Sequence, residues 1–191
     1  MKNLFVIQHA VILFALYLIT GDSSIPGTTN LQTNCSNLEP GQKGFLQLAK
    51  VEEPGEPLVI YGRVIDRQNN QPVSDASLFL YQTDSTGIYG PPGRPEEQAR
   101  IRGTINTNES GCFKIQTILP GDYPGRKNSR HLHYVINANG FKQLTSILFF
   151  KGFTTEDSGT PFSILEIKKE NNGAWIGTTD LFIERSDSKT Q

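Results

Sequence analysis

Short segments in which apolar and polar residues alternate recur along most of this chain, and they constrain its fold more than any other feature. In a strand, successive side chains point to opposite faces, so alternation is typical of strands with one buried face. Turn-forming residues such as Asn69-Asn70, Pro120-Gly121 and Asn139-Gly140 separate the segments. With no helical periodicity, the pattern predicts an all-β chain, an antiparallel β-sandwich with long loops. The predicted strands are 58–65, 76–82, 102–107, 112–118, 131–138, 144–150, 162–167 and 175–183.

The length of 191 residues suits one domain with a substantial core. Residues 1–21 are predicted to be a signal peptide, because Lys2 precedes an apolar run interrupted by Gln8 and His9. That run is shorter than the ~20 residues that a spanning helix needs, so no stable membrane insertion is expected. An uncleaved amphipathic anchor is the alternative. We further predict an N-terminal arm at 22–57, the sandwich domain at 58–185 and a C-terminal tail at 186–191.

A signal peptide would make the protein secreted or periplasmic, which places its two cysteines in an oxidising compartment. A Cys35–Cys112 disulfide would then pin the arm onto the sandwich, although the sequence alone does not bring the two residues together. The sequons at Asn34 and Asn108 would accept glycans only in a eukaryotic host. With a net charge of −1 and no basic stripe, the chain is not expected to bind nucleic acid. A homo-oligomer, with the arm lying across a neighbouring subunit, is one arrangement that the sequence leaves open.

His131 and His133 are the most suggestive pair of side chains in the sequence. In a strand both imidazoles point to one face while Leu132 points to the other, so the two rings can bind one metal ion. The third histidine, His9, falls in the predicted signal peptide. Because the cysteines lack zinc-finger spacing, the remaining ligands would be Tyr, Asp or Glu.

Further motifs occur in a fixed order around these histidines. They are Gly62-Arg-Val-Ile-Asp66, Pro72-Val-Ser-Asp-Ala76, Tyr89, Pro120-Gly-Asp-Tyr123-Pro and His131-Leu-His133. In this order the stretch from about 58 to 150 resembles the intradiol ring-cleavage dioxygenases, and is most similar to their small, secreted, single-domain members. The first two motifs alone also fit transthyretin-like and carboxypeptidase-regulatory-like sandwich modules, which bind no metal.

The resemblance implies a catechol dioxygenase that uses non-haem Fe(III). Tyr89, Tyr123, His131 and His133 would ligate the iron, and a tyrosinate would act as a base when a small aromatic diol binds. O2 would then be incorporated as the ring opens between its two hydroxylated carbons, with no organic cofactor. Arg126 is the expected catalytic cation, with Arg130 as the second choice.

Two positions depart from the family pattern. Asn128 stands where many members have an Arg, and Ile147 stands where they usually have a Gln near the substrate. A slow enzyme, one with another substrate, or a catalytically eroded binding module that retains iron are therefore alternatives, as is a zinc or copper site on the same ligands. Four arginines near the predicted site would favour a carboxylated catechol, namely Arg94, Arg100, Arg102 and Arg126.

Overall fold

The computed structural model describes residues 35–154 and 162–186, which form two five-stranded sheets around one shared apolar core. The predicted signal peptide lies outside the described residues, as do residues 22–34 of the predicted arm and 187–191 of the predicted tail. Within the described part, no helix is long and apolar enough to cross a bilayer.

The first sheet has the strand order β1-β5-β2-β10-β9 and the second has β4-β3-β6-β7-β8. Their bounds are β1 Phe45–Gln47, β2 Pro57–Asp66, β3 Ser77–Gln82, β4 Ile101–Asn106, β5 Cys112–Ile118, β6 Ser129–Asn137, β7 Leu144–Thr154, β8 Phe162–Leu165, β9 Ile167–Lys169 and β10 Trp175–Ile183. A short 3-10 helix, η1, spans Glu96–Gln98. The all-β sandwich predicted from the alternating segments is confirmed.

Most neighbouring strands pair antiparallel, but three pairs are parallel, namely β1 with β5, β2 with β10, and β7 with β8. Both sheets are therefore mixed. The single strand predicted at 162–167 is two strands, because the chain leaves the second sheet after Leu165 and β9 pairs with β10 in the first. Local alternation does not reveal such a change of sheet, since β8 and β9 are each only a few residues long.

The core lies between the sheets and is built from the inward side chains of alternating strands. In β6, Leu132, Tyr134 and Ile136 are almost fully buried. His131 and His133 occupy the intervening positions and therefore face the outer side of the second sheet. The predicted separation of the two imidazoles from Leu132 is thus observed.

Part of the predicted arm packs on the sandwich. Cys35 and Cys112 form a disulfide with their Cα atoms 5.2 Å apart, and β1 adds a parallel edge strand to the first sheet. Farther along, Glu53 contacts Arg100 beside the loop that carries Tyr89. Glu53 therefore links residues 35–56 to the end of that loop.

Candidate metal centre

The first two candidate ligands, His131 and His133, lie near the start of β6, in the middle of the second sheet. Strand pairing places Tyr81 of β3 and Ile147 of β7 on either side of His133, and Phe149 of β7 beside His131. These side chains share one face of the sheet. The Tyr81 ring stacks on the His133 ring, with centroids 4.5 Å apart and planes 4° apart, which fixes the orientation of the imidazole.

The two candidate tyrosines come from loops that pack against each other backbone to backbone. At Gly87, whose φ is +85°, an added Cβ would lie 1.8 Å from the carbonyl oxygen of Asp122, and a Cβ on Gly121 would lie 2.5 Å from the Gly87 nitrogen. Hydrogen bonds join the same loops, from the Gly121 N–H to the Asp84 carbonyl (2.8 Å) and from the Thr83 hydroxyl to the Gly121 carbonyl (3.1 Å). Only glycine permits this approach, which brings Tyr89 and Tyr123 together.

Four side-chain atoms converge where the loops meet β6. The Tyr89 hydroxyl lies 2.8 Å from the Tyr123 hydroxyl, 2.9 Å from His133 Nε2 and 3.2 Å from His131 Nε2. His131 Nε2 lies 2.9 Å from His133 Nε2 and 3.1 Å from the Tyr123 hydroxyl. The structure thus brings together all four side chains that the sequence predicted as ligands.

These separations fit a shared metal ion. Bonds of about 2.0–2.2 Å from a metal to nitrogen or oxygen place neighbouring ligand atoms roughly 3 Å apart. His131 Nδ1 donates to the Ser129 carbonyl at 2.6 Å, so the lone pair of this imidazole is on Nε2 and faces the cluster. Among residues 35–154 and 162–186, no group of three or more His, Cys, Asp or Glu side chains could hold a metal. A metal bound by the two histidines would therefore need the tyrosines.

Burial determines the protonation of the cluster in the metal-free protein. Desolvation lowers the pKa of His131, and with the neighbouring His131 it lowers the pKa of His133 to about 4, so both imidazoles are neutral at pH 7. Desolvation also raises the pKa values of Tyr89 and Tyr123 above their ordinary value, and the Tyr123 hydroxyl adds to the shift at Tyr89. The four groups are thus uncharged, and a bound cation would replace the two phenolic protons.

The structure distinguishes between the two candidate catalytic cations. Arg130 lies 3.5 Å from the Asp122 carboxylate and its guanidinium lies 4.8 Å from the centroid of the Phe153 ring. Arg126 forms no salt bridge to any described residue. Its charge opposes the rise in the pKa of Tyr123 and contributes to lowering the pKa of His131. Of the two arginines, Arg126 is therefore the one whose charge acts on Tyr123 and His131. Its catalytic role stays a prediction.

One departure from the family pattern lies in the turn before β6, and the other lies on β7, which pairs with β6. Asn128 has a left-handed backbone, with φ of 56°, in the turn before β6. Asn adopts this conformation more readily than most residues do. Ile147 lies opposite His133, so an apolar side chain adjoins the ligand, and Phe149 extends this apolar wall with its ring centroid 5.4 Å from that of His131.

Sequence reasoning missed Glu96, which approaches the cluster from η1. One of its carboxylate oxygens lies 3.8 Å from His133 Nε2, and its charge contributes to raising the pKa values of Tyr89 and Tyr123. Glu96 and Arg94 line a cavity of about 300 Å³ that reaches both tyrosines. No local motif marks Glu96, because its position depends on how the loop between Tyr89 and Arg100 folds back.

Comparison with known proteins agrees with this geometry. A family model described as "Dioxygenase" matches residues 33–157, and curated relatives with significant similarity include intradiol enzymes. The chain belongs to the intradiol ring-cleavage dioxygenase family. It is 31% identical over 142 residues to 6-chlorohydroxyquinol 1,2-dioxygenase of Cupriavidus pinatubonensis. The aligned region covers 66% of this chain and 50% of that relative.

Solved structures of dioxygenases share the fold. The dioxygenase domain of a dioxygenase–carbohydrate-binding protein fusion from Streptomyces sp. SirexAA-E superposes with a TM-score of 0.60 at 28% identity, covering 78% of this chain and 93% of that one. For 3-chlorocatechol 1,2-dioxygenase from Rhodococcus opacus the TM-score is 0.64 at 25% identity, covering 78% and 69%. The chain spans about half the length of the curated intradiol dioxygenases it matches.

Proposed function

We propose that this protein is an exported Fe(III) dioxygenase that opens the ring of a small catechol between its two hydroxylated carbons. The observation that carries the proposal is the convergence of two phenol oxygens and two imidazole nitrogens, with five of their six mutual separations between 2.8 and 3.2 Å. Phenolate oxygens are hard, anionic donors that favour Fe(III) over Fe(II), whereas the facial triad of Fe(II) oxygenases uses two histidines and one carboxylate. Bound Fe(III) would supply Lewis acidity that activates a catecholate toward O2.

The reaction needs no external reductant. A catechol and one O2 give a muconate-type diacid, in which both oxygen atoms of O2 end in the two new carboxyl groups. One tyrosinate, of Tyr89 or Tyr123, would accept one of the two protons that a catechol loses when it binds, hydroxide would accept the second, and the other tyrosinate would remain a ligand. The positive charge of Arg126 would stabilise negative charge that develops on the substrate ring.

The side chains around the cluster favour a catechol substrate whose ring carries no carboxylate. Two of the four arginines that favoured a carboxylated catechol have other partners, because Arg100 pairs with Glu53 and Arg102 donates to the carbonyls of Gln98 and Ala99. The Glu96 carboxylate would repel a carboxylate group on the substrate ring. Ile147 and Phe149 offer an apolar surface to an aromatic ring.

The Cys35–Cys112 disulfide supports the export part of the proposal, since disulfides persist mainly in oxidising compartments. The second candidate function is a binding module that retains iron without turnover. Ile147 favours it, because an apolar side chain beside His133 cannot supply a hydrogen bond to the substrate. Loss of one such contact slows catalysis by roughly 10²–10³-fold in well-studied cases.

Iron analysis with a visible spectrum and an oxygen electrode tests the proposal. We expect about one iron per chain, a tyrosinate-to-iron absorption band, and O2 uptake with catechol. In Tyr123→Phe the band should weaken and turnover should stop, whereas Tyr61→Phe, which alters a half-buried tyrosine on the first sheet, should leave both unchanged. A protein that binds no iron on reconstitution refutes the proposal, and an iron-loaded protein without O2 uptake on catechol, hydroxyquinol or protocatechuate supports the binding module.

A further inference from the structure

A salt bridge connects the N-terminal segment to the loop that carries Tyr89. The Arg100 guanidinium donates to both carboxylate oxygens of Glu53, with Nη1 to Oε2 and Nη2 to Oε1 each 2.6 Å. Only 7% of the Glu53 side chain is exposed, whereas the Arg100 side chain is about half exposed. A bidentate pair with a buried carboxylate has a defined geometry, unlike the average surface ion pair.

The partners of Glu53 also hold the backbone around Tyr89. The Arg100 N–H donates to the Tyr89 carbonyl at 2.7 Å. Arg100 Nη2 lies 3.4 Å from Asp84 Oδ2, and the other oxygen of Asp84 accepts from the Ile88 N–H at 3.2 Å. The Asp84 N–H in turn donates to the Ile88 carbonyl at 2.9 Å. The backbone of Ile88 is therefore hydrogen-bonded to Asp84, and that of Tyr89 to Arg100. The side chains of Asp84 and Arg100 also contact each other.

The loop between these anchors has limited means of holding itself. Its ten residues, 90–99, include three prolines and two glycines, and its only helical turn is η1. Proline lacks an N–H, so such a segment offers few backbone hydrogen bonds of its own. The position of the Tyr89 phenol therefore depends on the two ends of this loop, at Tyr89 and at Arg100, where Glu53 binds Arg100.

We propose that Glu53 is a positioning residue that acts through Arg100 to fix the Tyr89 phenol against His131 and His133. The consequence for iron rests on the proposed function, but the restraint on the loop exists in the metal-free protein. A ligand set must be held within about 0.5 Å of its productive geometry, so a looser Tyr89 loop lowers affinity for the ion. Residues 35–56, which contribute β1 to the first sheet, thereby help to position the candidate metal centre on the second sheet.

Glu53→Gln and Arg100→Lys test the proposal, with Asp180→Asn as the matched control. Asp180 also accepts a bidentate pair, from Arg63, but on the first sheet. In Glu53→Gln without metal, the backbone N–H groups of residues 88 and 100 should exchange at least tenfold faster than in the wild type. In Arg100→Lys the increase in exchange rate should be smaller, because the lysine keeps one charged contact with Glu53. The β6 amides should exchange at wild-type rates, and Asp180→Asn should alter neither region.

Competition with a chelator then measures the affinity for Fe(III). We expect it to fall about tenfold or more in Glu53→Gln, with a thermal unfolding midpoint close to that of Asp180→Asn. Wild-type exchange at Arg100 and Ile88, or faster exchange with unchanged affinity for iron, overturns the positioning role. If the wild-type protein itself binds no Fe(III), the proposed function fails separately, and the exchange rates still decide whether Glu53 restrains the loop.

Discussion

The close approach of the two tyrosine loops makes Gly87→Ala the most informative single substitution. Its Cβ would lie 1.8 Å from the Asp122 carbonyl oxygen, whereas ordinary contact begins at 3.4 Å. The two loops must therefore separate by about 1.6 Å, or rotate by an equivalent amount. The three nearest atoms, the carbonyl oxygen and carbon of Asp122 and the Cα of Tyr123, all belong to the backbone, so no flexible side chain can absorb the clash.

A shift of this size carries Tyr89 away from Tyr123 by more than a metal centre tolerates. A misplacement of about 1 Å costs roughly 10²-fold in catalysis, and ligand geometry allows only about 0.5 Å. We therefore expect the affinity for Fe(III) to fall at least 10²-fold, together with loss of the tyrosinate-to-iron band. Titration of metal-free protein with Fe(III) in the presence of a competing chelator measures both.

Gly173→Ala is the matched control for backbone strain. Gly173 has φ of +87°, against +85° for Gly87, but a Cβ there would meet nothing within 4 Å. Both variants bear the cost of a left-handed alanine, about 1–2 kcal/mol, so only the clash distinguishes them. Wild-type iron affinity in Gly87→Ala, or an equal loss in Gly173→Ala, would refute the argument that loop packing brings the phenols together.

Three further predictions concern charge and covalent structure. Glu96→Gln should lower KM for a carboxylated catechol relative to catechol by roughly fivefold, because removing a half-exposed like charge is worth about 1 kcal/mol; an unchanged ratio in steady-state kinetics would exclude a role in selecting the substrate. Replacing Cys35 and Cys112 together by Ser should destabilise the protein by about 4.5 kcal/mol, since the disulfide closes a loop between residues 77 apart; a urea midpoint like that of the wild type would contradict this. The hydrogen bonds from Arg100 lower the pKa of Glu53, so its contribution to stability is complete above the ordinary glutamate pKa of about 4.3 and is lost as the pH falls through the lower folded value. The difference in unfolding free energy between wild type and Glu53→Gln should therefore be constant above about pH 5, shrink as the pH falls below the ordinary glutamate pKa, and vanish only below the lowered folded pKa of Glu53. A difference that stays constant through this acid range would disprove the linkage.

The position of Glu96 shows why part of the centre could not be predicted. His131 and His133 are two residues apart, so the period of a strand is enough to place them on one face. Glu96 and His133 are 37 positions apart, and their approach depends on the path of an irregular loop. The same holds for Tyr81, whose stacking on His133 follows from the pairing register of β3 and β6.

The sequence by itself determined the all-β architecture, the shared direction of the two imidazoles and the identity of two tyrosines in loops. These features follow from local alternation, from turn residues and from an ordered set of motifs. Tertiary structure alone decided that β8 and β9 belong to different sheets, that Arg100 pairs with Glu53, and that the phenol oxygens meet the imidazole nitrogens. Such contacts join residues far apart in the chain, and they arise only when strand register and the backbone packing of Gly87 on Asp122 are established.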